Sequence, residues 1–345
     1  MMNSEFTQGH ALIIGVGADL PTTVGDAVGI ANILKDPERC AYPASQVQRL
    51  TGESATRQHI LAGLDQLTRV PPEATVIVYF SGHGYEFSST FGKSYFLMPF
   101  GYEVNRLAET AVSAQELTTR LQAIPAQKLL LLLDCCHAGG LDPSKAPLGA
   151  EMSKAPLPLE ATTLLAQGNG RAVIASSRAN ELSYAGKPYS AFTLALIEAL
   201  TGQGAAVQDG YVRLADLAGH TRQIVPQRTR DRQHPILNFQ QADNFVVAYY
   251  AGGETLPKAL PFSGQTEIEP EPGLFNRQAA PSYYAHQEGD GIIVQGNNNT
   301  VVGPGGVHVG GHVGGSIITG KTVAEDMPSP KGLAGLEGKG DGPDD

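Results

Sequence analysis

Two apolar runs, each ending in a reactive side chain, constrain this chain more than any other feature. The first reads Lys128-Leu129-Leu130-Leu131-Leu132-Leu133-Asp134-Cys135-Cys136-His137-Ala138-Gly139-Gly140. It is a buried strand that ends in an acid and two thiols, then breaks at small residues. The second lies upstream, Val76-Ile77-Val78-Tyr79-Phe80-Ser81-Gly82-His83-Gly84, and ends in a histidine between glycines. Neighbouring strands of a parallel sheet deliver such groups to one rim, where open α/β sheets hold their ligands. A thiol and an imidazole at that rim are the parts of a Cys/His nucleophilic site.

The rest of the first 250 residues supplies the strands and helices of such a sheet. Residues 11–16 read as a buried first strand. Ala27, Ile30, Ala31 and Leu34 give Asp26 to Leu34 a helical face. Val47 to Leu50 is a short strand. Thr56 is the N-cap of a helix to Leu67, with Ile60, Leu61, Leu64 and Leu67 as its stripe. Val76 to Phe80 and Tyr95 to Pro99 are strands. Ser113…Glu116 has the capping-box spacing and opens a helix to Leu121. Leu129 to Leu133 is the central strand and Ala172 to Ala175 another. Helices over Ala191 to Leu200 and Leu214 to Ile224 precede a closing strand over Phe245 to Tyr250. Strands alternating with helices predict a doubly wound α/β domain with a mostly parallel sheet over residues 9–250.

Three further segments differ in composition. An insert over 141–170 contains a short repeat, Ser144-Lys145-Ala146-Pro147-Leu148 and Ser153-Lys154-Ala155-Pro156-Leu157, and reads as poor material for helix or strand. Residues 251–289 are a Pro/Glu/Gly-rich linker. Residues 290–323 alternate Val and Ile with Gly and Asn turns, which suits a small β segment that pairs with other copies. Residues 324–345 are Gly/Pro/Asp-rich and read as a disordered tail.

Composition removes several function classes. A net charge of -10 gives no support for nucleic-acid binding. Three cysteines, two of them adjacent, do not make a disulfide framework. The polar start carries no signal-peptide pattern, and no apolar run is long enough for a membrane span. The expectation is a soluble, cytoplasmic protein with neither membrane nor nucleic-acid partners.

A thiol attacks a carbonyl as its thiolate, and an imidazole removes the proton and returns one to the leaving amine. His83 is the candidate base, 53 residues before Cys136. The backbone at Gly84 and Cys136 is the candidate oxyanion hole. Two alternatives stand beside this reading. Cys135 and Cys136 are ordinary buried thiols in one. In the other, Cys135, Cys136, His137 and His83 bind zinc, though adjacent cysteines build a tetrahedral site awkwardly.

Tyr79-Phe80-Ser81-Gly82-His83-Gly84 with Asp134-Cys135-Cys136-His137-Ala138-Gly139 resembles the caspase-like cysteine peptidases, and most closely the metacaspase and bacterial orthocaspase branch. The likeness extends over about residues 10–250, through Gly25-Asp26-Ala27, Ala175-Ser176-Ser177 and Ser190-Ala191-Phe192-Thr193. It implies a caspase-like three-layer α/β/α sandwich. It implies His83 as base and Cys136 as nucleophile, with Cys135 where the family has Ser. It implies cleavage after Arg or Lys, with Asp26, Asp134 and Ser81 in the S1 pocket. It also implies self-processing in the insert, for which Lys145 and Lys154 are the candidate sites. Many metacaspases use calcium, but Asp142, Glu151 and Glu160 are too spread to favour it here, so no metal or cofactor is expected. The implied partners are peptide substrates with Arg or Lys at P1, and a regulatory protein or a second copy at 290–323. The implied setting is a bacterial defence or cell-death system. The alternative is a protease-like scaffold whose C-terminal segment does the work.

Overall fold

The computed structural model describes residues 5–89, 92–135, 151–154, 170–178, 181–239, 242–263, 266–268, 300–301 and 307–308. Cys136, Lys145 and the whole of 324–345 lie outside these residues. Met1–Leu274 and Phe275–Asp345 form separate compact units.

The first unit begins with β1 (Gly9–Gly15), α1 (Thr22–Lys35), β2 (Val47–Thr51), α2 (Arg57–Leu67) and β3 (Thr75–Gly82). A side layer follows: β4 (Gly84–Ser89), β5 (Gly92–Leu97), α3 (Leu107–Thr110) and β6 (Val112–Ser113). Then come α4 (Ala114–Ala123), β7 (Lys128–Cys135), β8 (Glu151–Lys154), β9 (Arg171–Ala175) and β10 (Gly186–Lys187). The unit continues with α5 (Ala191–Leu200), β11 (Tyr211–Arg213), α6 (Leu214–Arg228), β12 (Ile236–Asn238), β13 (Val246–Tyr249) and β14 (Glu267–Ile268).

Six strands form the main sheet in the order β12-β9-β7-β3-β1-β2. All neighbours are parallel except the edge pair of β12 and β9. Alternation along each strand splits the core in two. Ile13, Ile77, Tyr79, Leu130, Leu132 and Ile174 face α1, α5 and α6 through Ile30, Phe192, Leu196 and Leu217. Leu12, Val78, Phe80, Leu129, Leu131 and Leu133 face α2 and α4 through Ile60, Leu64, Leu117 and Leu121. The caspase-like α/β/α sandwich is therefore present, with the central strands β1, β3, β7 and β9 buried on both faces as their apolar runs require.

Local signals set the helix starts. The Thr56 hydroxyl accepts from His59 N at 3.3 Å, the Ser113 hydroxyl from Glu116 N at 3.1 Å, and the Ser190 hydroxyl from Thr193 N at 3.0 Å. Each satisfies a backbone donor that a helix leaves open at its first turn. At the end of β1, a Cβ on Gly15 would lie 2.3 Å from Thr23 O and 2.6 Å from Ala27 Cβ. Glycine there lets α1 pack directly on the strand end.

Three elements depart from the sequence reading. The apolar pattern makes Phe245 to Tyr250 the closing strand; instead β13 pairs with β11 apart from the main sheet, and the short β12 closes that sheet antiparallel. The pattern makes Tyr95 to Pro99 a strand; the strand runs over Gly92–Leu97 and lies in the four-stranded side layer β6-β5-β4-β8. Part of the insert is paired strand: β8 runs antiparallel to β4, with Lys154 opposite Tyr85 and Glu151 opposite Ser88. Backbone pairing with a neighbour outweighs weak local propensity there.

The segment after β13 turns back onto the domain. Phe262 meets Tyr189 edge-on with ring centroids 5.4 Å apart, and Arg39 Nη2 donates to Ala259 O at 2.7 Å. β14 then pairs antiparallel with β10, Ile268 opposite Gly186 and Glu267 opposite Lys187. In the second unit, Thr300–Val301 and Val307–His308 form a short antiparallel pair. Among the described residues, no helix is long and apolar enough to cross a membrane.

Candidate active site

The two runs singled out in the sequence are direct neighbours. β3 and β7 pair in parallel with Ser81 opposite Asp134 and Gly82 opposite Cys135. His83 follows Gly82, and Cys136 follows Cys135. Gly82 and Cys135, the covalent neighbours of His83 and Cys136, thus stand side by side at the carboxyl rim. Cys136 itself, with its backbone as an oxyanion donor, lies outside the described residues.

The alternation of β7 separates the two side chains that precede Cys136. Cys135 points to the α2/α4 side and is 4% exposed, within the apolar cluster of that face. The Tyr95 hydroxyl donates to its Sγ at 3.6 Å. Burial pushes the Cys135 thiol up to about 12, with the Tyr95 bond opposing and the Asp134 charge adding to the shift. Cys135 is a protonated core thiol.

Asp134 points to the other face, where the structure brings it together with Asp26 of α1 and Ser81 of β3. All three are fully buried. Asp134 Oδ1 accepts from Ser183 Oγ at 2.9 Å; its Oδ2 accepts from Ser190 Oγ at 2.5 Å and Thr193 Oγ1 at 3.1 Å. Asp26 Oδ1 accepts from the backbone N–H of Ser190 at 2.8 Å. Ser190 therefore ties both acids to the start of α5. Among the described residues, Asp26 Oδ2 and Ser81 Oγ have no hydrogen-bond partner. Ser81 lies near enough to favour the ionised Asp26, but without completing a bond to it.

Burial raises the carboxyl of Asp26 well above the usual range, and the charge of Asp134 raises it further; Ser190 N–H and Ser81 oppose the shift. Burial also raises Asp134, against the hydroxyls of Ser190, Ser183, Thr193 and Ser176. Burial and mutual proximity thus make the pair hold protons more tightly than free carboxyls do.

His83 lies between β3 and β4 with its side chain 4% exposed, and its Nε2 is 2.8 Å from Oδ2 of Asp19, whose side chain is 57% exposed. The Tyr85 ring lies beside the imidazole at 5.9 Å between centroids. Gly84, the other candidate oxyanion donor, opens β4 opposite Leu97 of β5. Lys154 ends β8, on the strand that pairs with β4, and Lys145 lies outside the described residues.

Several residues of this site are not legible as such in the sequence. Ser190 shows only as a helix start, and its hydroxyl and backbone contacts to two acids cross 56 and 164 positions of chain. Ser183 lies in a loop with no periodic signal. Gln233, fully buried, fixes that loop: its Nε2 donates to Ser176 O at 2.9 Å and Ser183 Oγ at 3.2 Å, and its Oε1 accepts from Tyr184 N at 2.9 Å. Asp19 carries no signal beyond that of a polar turn residue after Gly17.

Among known proteins, no curated sequence matches the chain. The chain is similar in structure to a crystal structure of a Geobacter sulfurreducens protein at 16% identity and a TM-score of 0.45, over 67% of this chain and 92% of that one. The family model described as the caspase domain matches residues 8–246. With that match across the whole sheet and its rim, the chain belongs to the caspase-domain family of cysteine peptidases.

Proposed function

We propose that the chain is a metacaspase-type cysteine endopeptidase that cleaves after Arg or Lys, with Cys136 as nucleophile and His83 as base. The observation that carries this reading is the buried pair of Asp26 and Asp134. Burial and the neighbouring Asp134 both oppose ionisation of Asp26, and among the described residues Asp26 Oδ2 and Ser81 Oγ lack hydrogen-bond partners, so the pair is short of a positive donor. A guanidinium or ammonium there relieves the repulsion and satisfies both oxygens.

Chemically, the Cys136 thiol passes its proton to His83, and the sulfur bonds to the scissile carbonyl carbon. Backbone N–H groups at Gly84 and Cys136 hold the oxyanion. His83 gives its proton to the leaving amine as the C–N bond breaks, then takes one from the water that opens the thioester. Calcium is not part of this reading.

Self-processing follows from the same specificity. Lys145 is the favoured site, because Lys154 is engaged opposite Tyr85 in the side layer and an attacked bond must be presented free of its ladder. Peptide substrates with basic P1 residues are the proposed partners. A role in bacterial defence rests on the resemblance alone, and the cytoplasmic setting on cysteine usage and the polar start of the sequence.

The test is turnover of fluorogenic peptides with Arg, Lys or Asp at P1 by the full chain and by Cys136→Ala and His83→Ala. Turnover of Arg and Lys peptides by the wild type alone supports the reading. Preference for Asp, or turnover that survives Cys136→Ala, contradicts it.

A further inference from the structure

We propose that Asp19 is the positioning residue of this peptidase. Its carboxylate accepts the His83 Nε2–H, fixes that tautomer and leaves Nδ1 as the nitrogen that exchanges protons with the thiol. The inference rests on the reading of His83 as the base.

The contact is short and its setting is built. Nε2 and Oδ2 are 2.8 Å apart, and the imidazole is almost wholly enclosed while the carboxylate keeps one side toward water. A neutral imidazole has one N–H and one lone pair, so a carboxylate at Nε2 selects the proton's place. The backbone under the ring is held by Met98 N, which donates to His83 O at 3.0 Å, and the Tyr85 ring lies beside the imidazole, tilted by 50° with centroids 5.9 Å apart. On the other flank, Tyr102 lies near Asp19; burial first, then the Asp19 charge, raises its hydroxyl, so it remains a neutral neighbour.

The turn that carries Asp19 is anchored at both ends. Val16 N donates to Ser81 O at 3.0 Å, tying its start to β3 two residues before His83. Gly17 N donates to Thr23 Oγ1 at 2.8 Å, and Thr23 Oγ1 donates to Leu20 O at 2.8 Å, tying its end to the first turn of α1. Gly17 and Ala18 both have positive φ, 70° and 56°. Alanine is sterically disfavoured in that region, so the turn is held in shape by these bonds rather than by local preference. Asp26 stands one turn into α1, the helix that this turn opens. One anchored segment therefore sets both a pocket acid and the imidazole's partner.

In the reaction Asp19 never takes the proton. The Sγ–H proton goes to Nδ1 as the C–S bond forms, and the same proton leaves with the amine. Meanwhile Nε2–H stays bonded to Asp19, whose charge stabilises the imidazolium between the two transfers.

The experiment uses the full chain with Asp19→Ala, Asp19→Asn and Asp19→Glu. Three quantities are measured: kcat and KM on an Arg peptide, the alkylation rate of Cys136 by iodoacetamide, and the ring 15N shifts of His83. The expected result for Asp19→Ala is a fall in kcat and alkylation rate of roughly 100-fold with KM unchanged. Its ring nitrogens shift toward a mixture of tautomers. Asp19→Glu recovers part of both rates, and Asp19→Asn, which keeps the side-chain shape, separates lost charge from lost packing. Unchanged 15N shifts in Asp19→Ala, or an unchanged alkylation rate, overturn the proposal. If the wild type turns over no peptide, the specificity reading fails, and the 15N and alkylation results still decide the role of Asp19.

Discussion

The Tyr95 hydroxyl donates to Cys135 Sγ at 3.6 Å, across the apolar side of the sheet. That contact separates two adjacent thiols by chemistry. Cys135 is enclosed with its proton held up to about 12, so it supplies no thiolate at neutral pH. Alkylation followed by peptide mapping should therefore label Cys136 and leave Cys135 unmodified in the folded protein. Cys135→Ser should retain most of the activity and lower stability by about 1–3 kcal/mol, because it puts a hydroxyl in an apolar cluster. Labelling of Cys135 first would reverse the assignment.

The acid pair has a measurable stability cost. Both carboxyls are raised in the folded state, so folding holds their protons more tightly than the unfolded chain does. The stability linked to those protons is full below the unfolded carboxyl value and is lost as pH rises through the raised one. Asp26→Asn puts a neutral group in the buried site without the need to take up a proton on folding, and adds a donor near Ser81 Oγ. Its melting temperature should exceed that of the wild type by a few degrees near neutral pH, equivalent to about 1–2 kcal/mol. The difference should shrink toward about pH 3, below the unfolded carboxyl value, where the pair is protonated in both states. A gap independent of pH would show that the pair does not titrate as described.

Gln233 should matter without touching substrate. Its three hydrogen bonds hold Ser183 and Tyr184 in the loop beside Asp134. Gln233→Ala leaves the Tyr184 N–H unmatched in a buried place, at about 2–4 kcal/mol. Chemical denaturation should show that loss, and peptide kinetics should show a raised KM with a smaller change in kcat. An unaltered KM would remove Gln233 from the pocket's support.

The pairing of β14 with β10 predicts local protection. Amide exchange at Gly186 and Lys187 should quicken in Ile268→Pro, which takes a backbone N–H out of β14 and restricts its backbone, while exchange in β3 and β7 stays slow. Equal exchange in both proteins would mean that the pairing is not held in solution.

The main sheet is legible because its central strands are unbroken apolar runs and α2, α4 and α5 begin at capping residues. Leu129 to Leu133 and Thr56 to Leu67 carry their structure in local pattern. The edge is not legible: β12 is three residues long, and β13 looks like any buried strand until its partner is known. At the site, Asp26, Ser81 and Asp134 are found through motif resemblance, and the structure brings them together. Ser183, Ser190, Gln233 and Asp19 escape the sequence because their roles are hydrogen bonds between distant loops, which leave no periodicity behind.

The most direct test of the account compares two peptides that differ only at P1, one with Arg and one with citrulline, its neutral near-isostere. If Asp26 and Asp134 recognise the P1 charge as proposed, the wild type should favour Arg by roughly 100-fold or more in kcat/KM. In Asp134→Asn and in Asp26→Asn that ratio should collapse toward unity, mostly through KM. Equal rates for Arg and citrulline in the wild type would contradict the central claim that the buried acid pair is the specificity site.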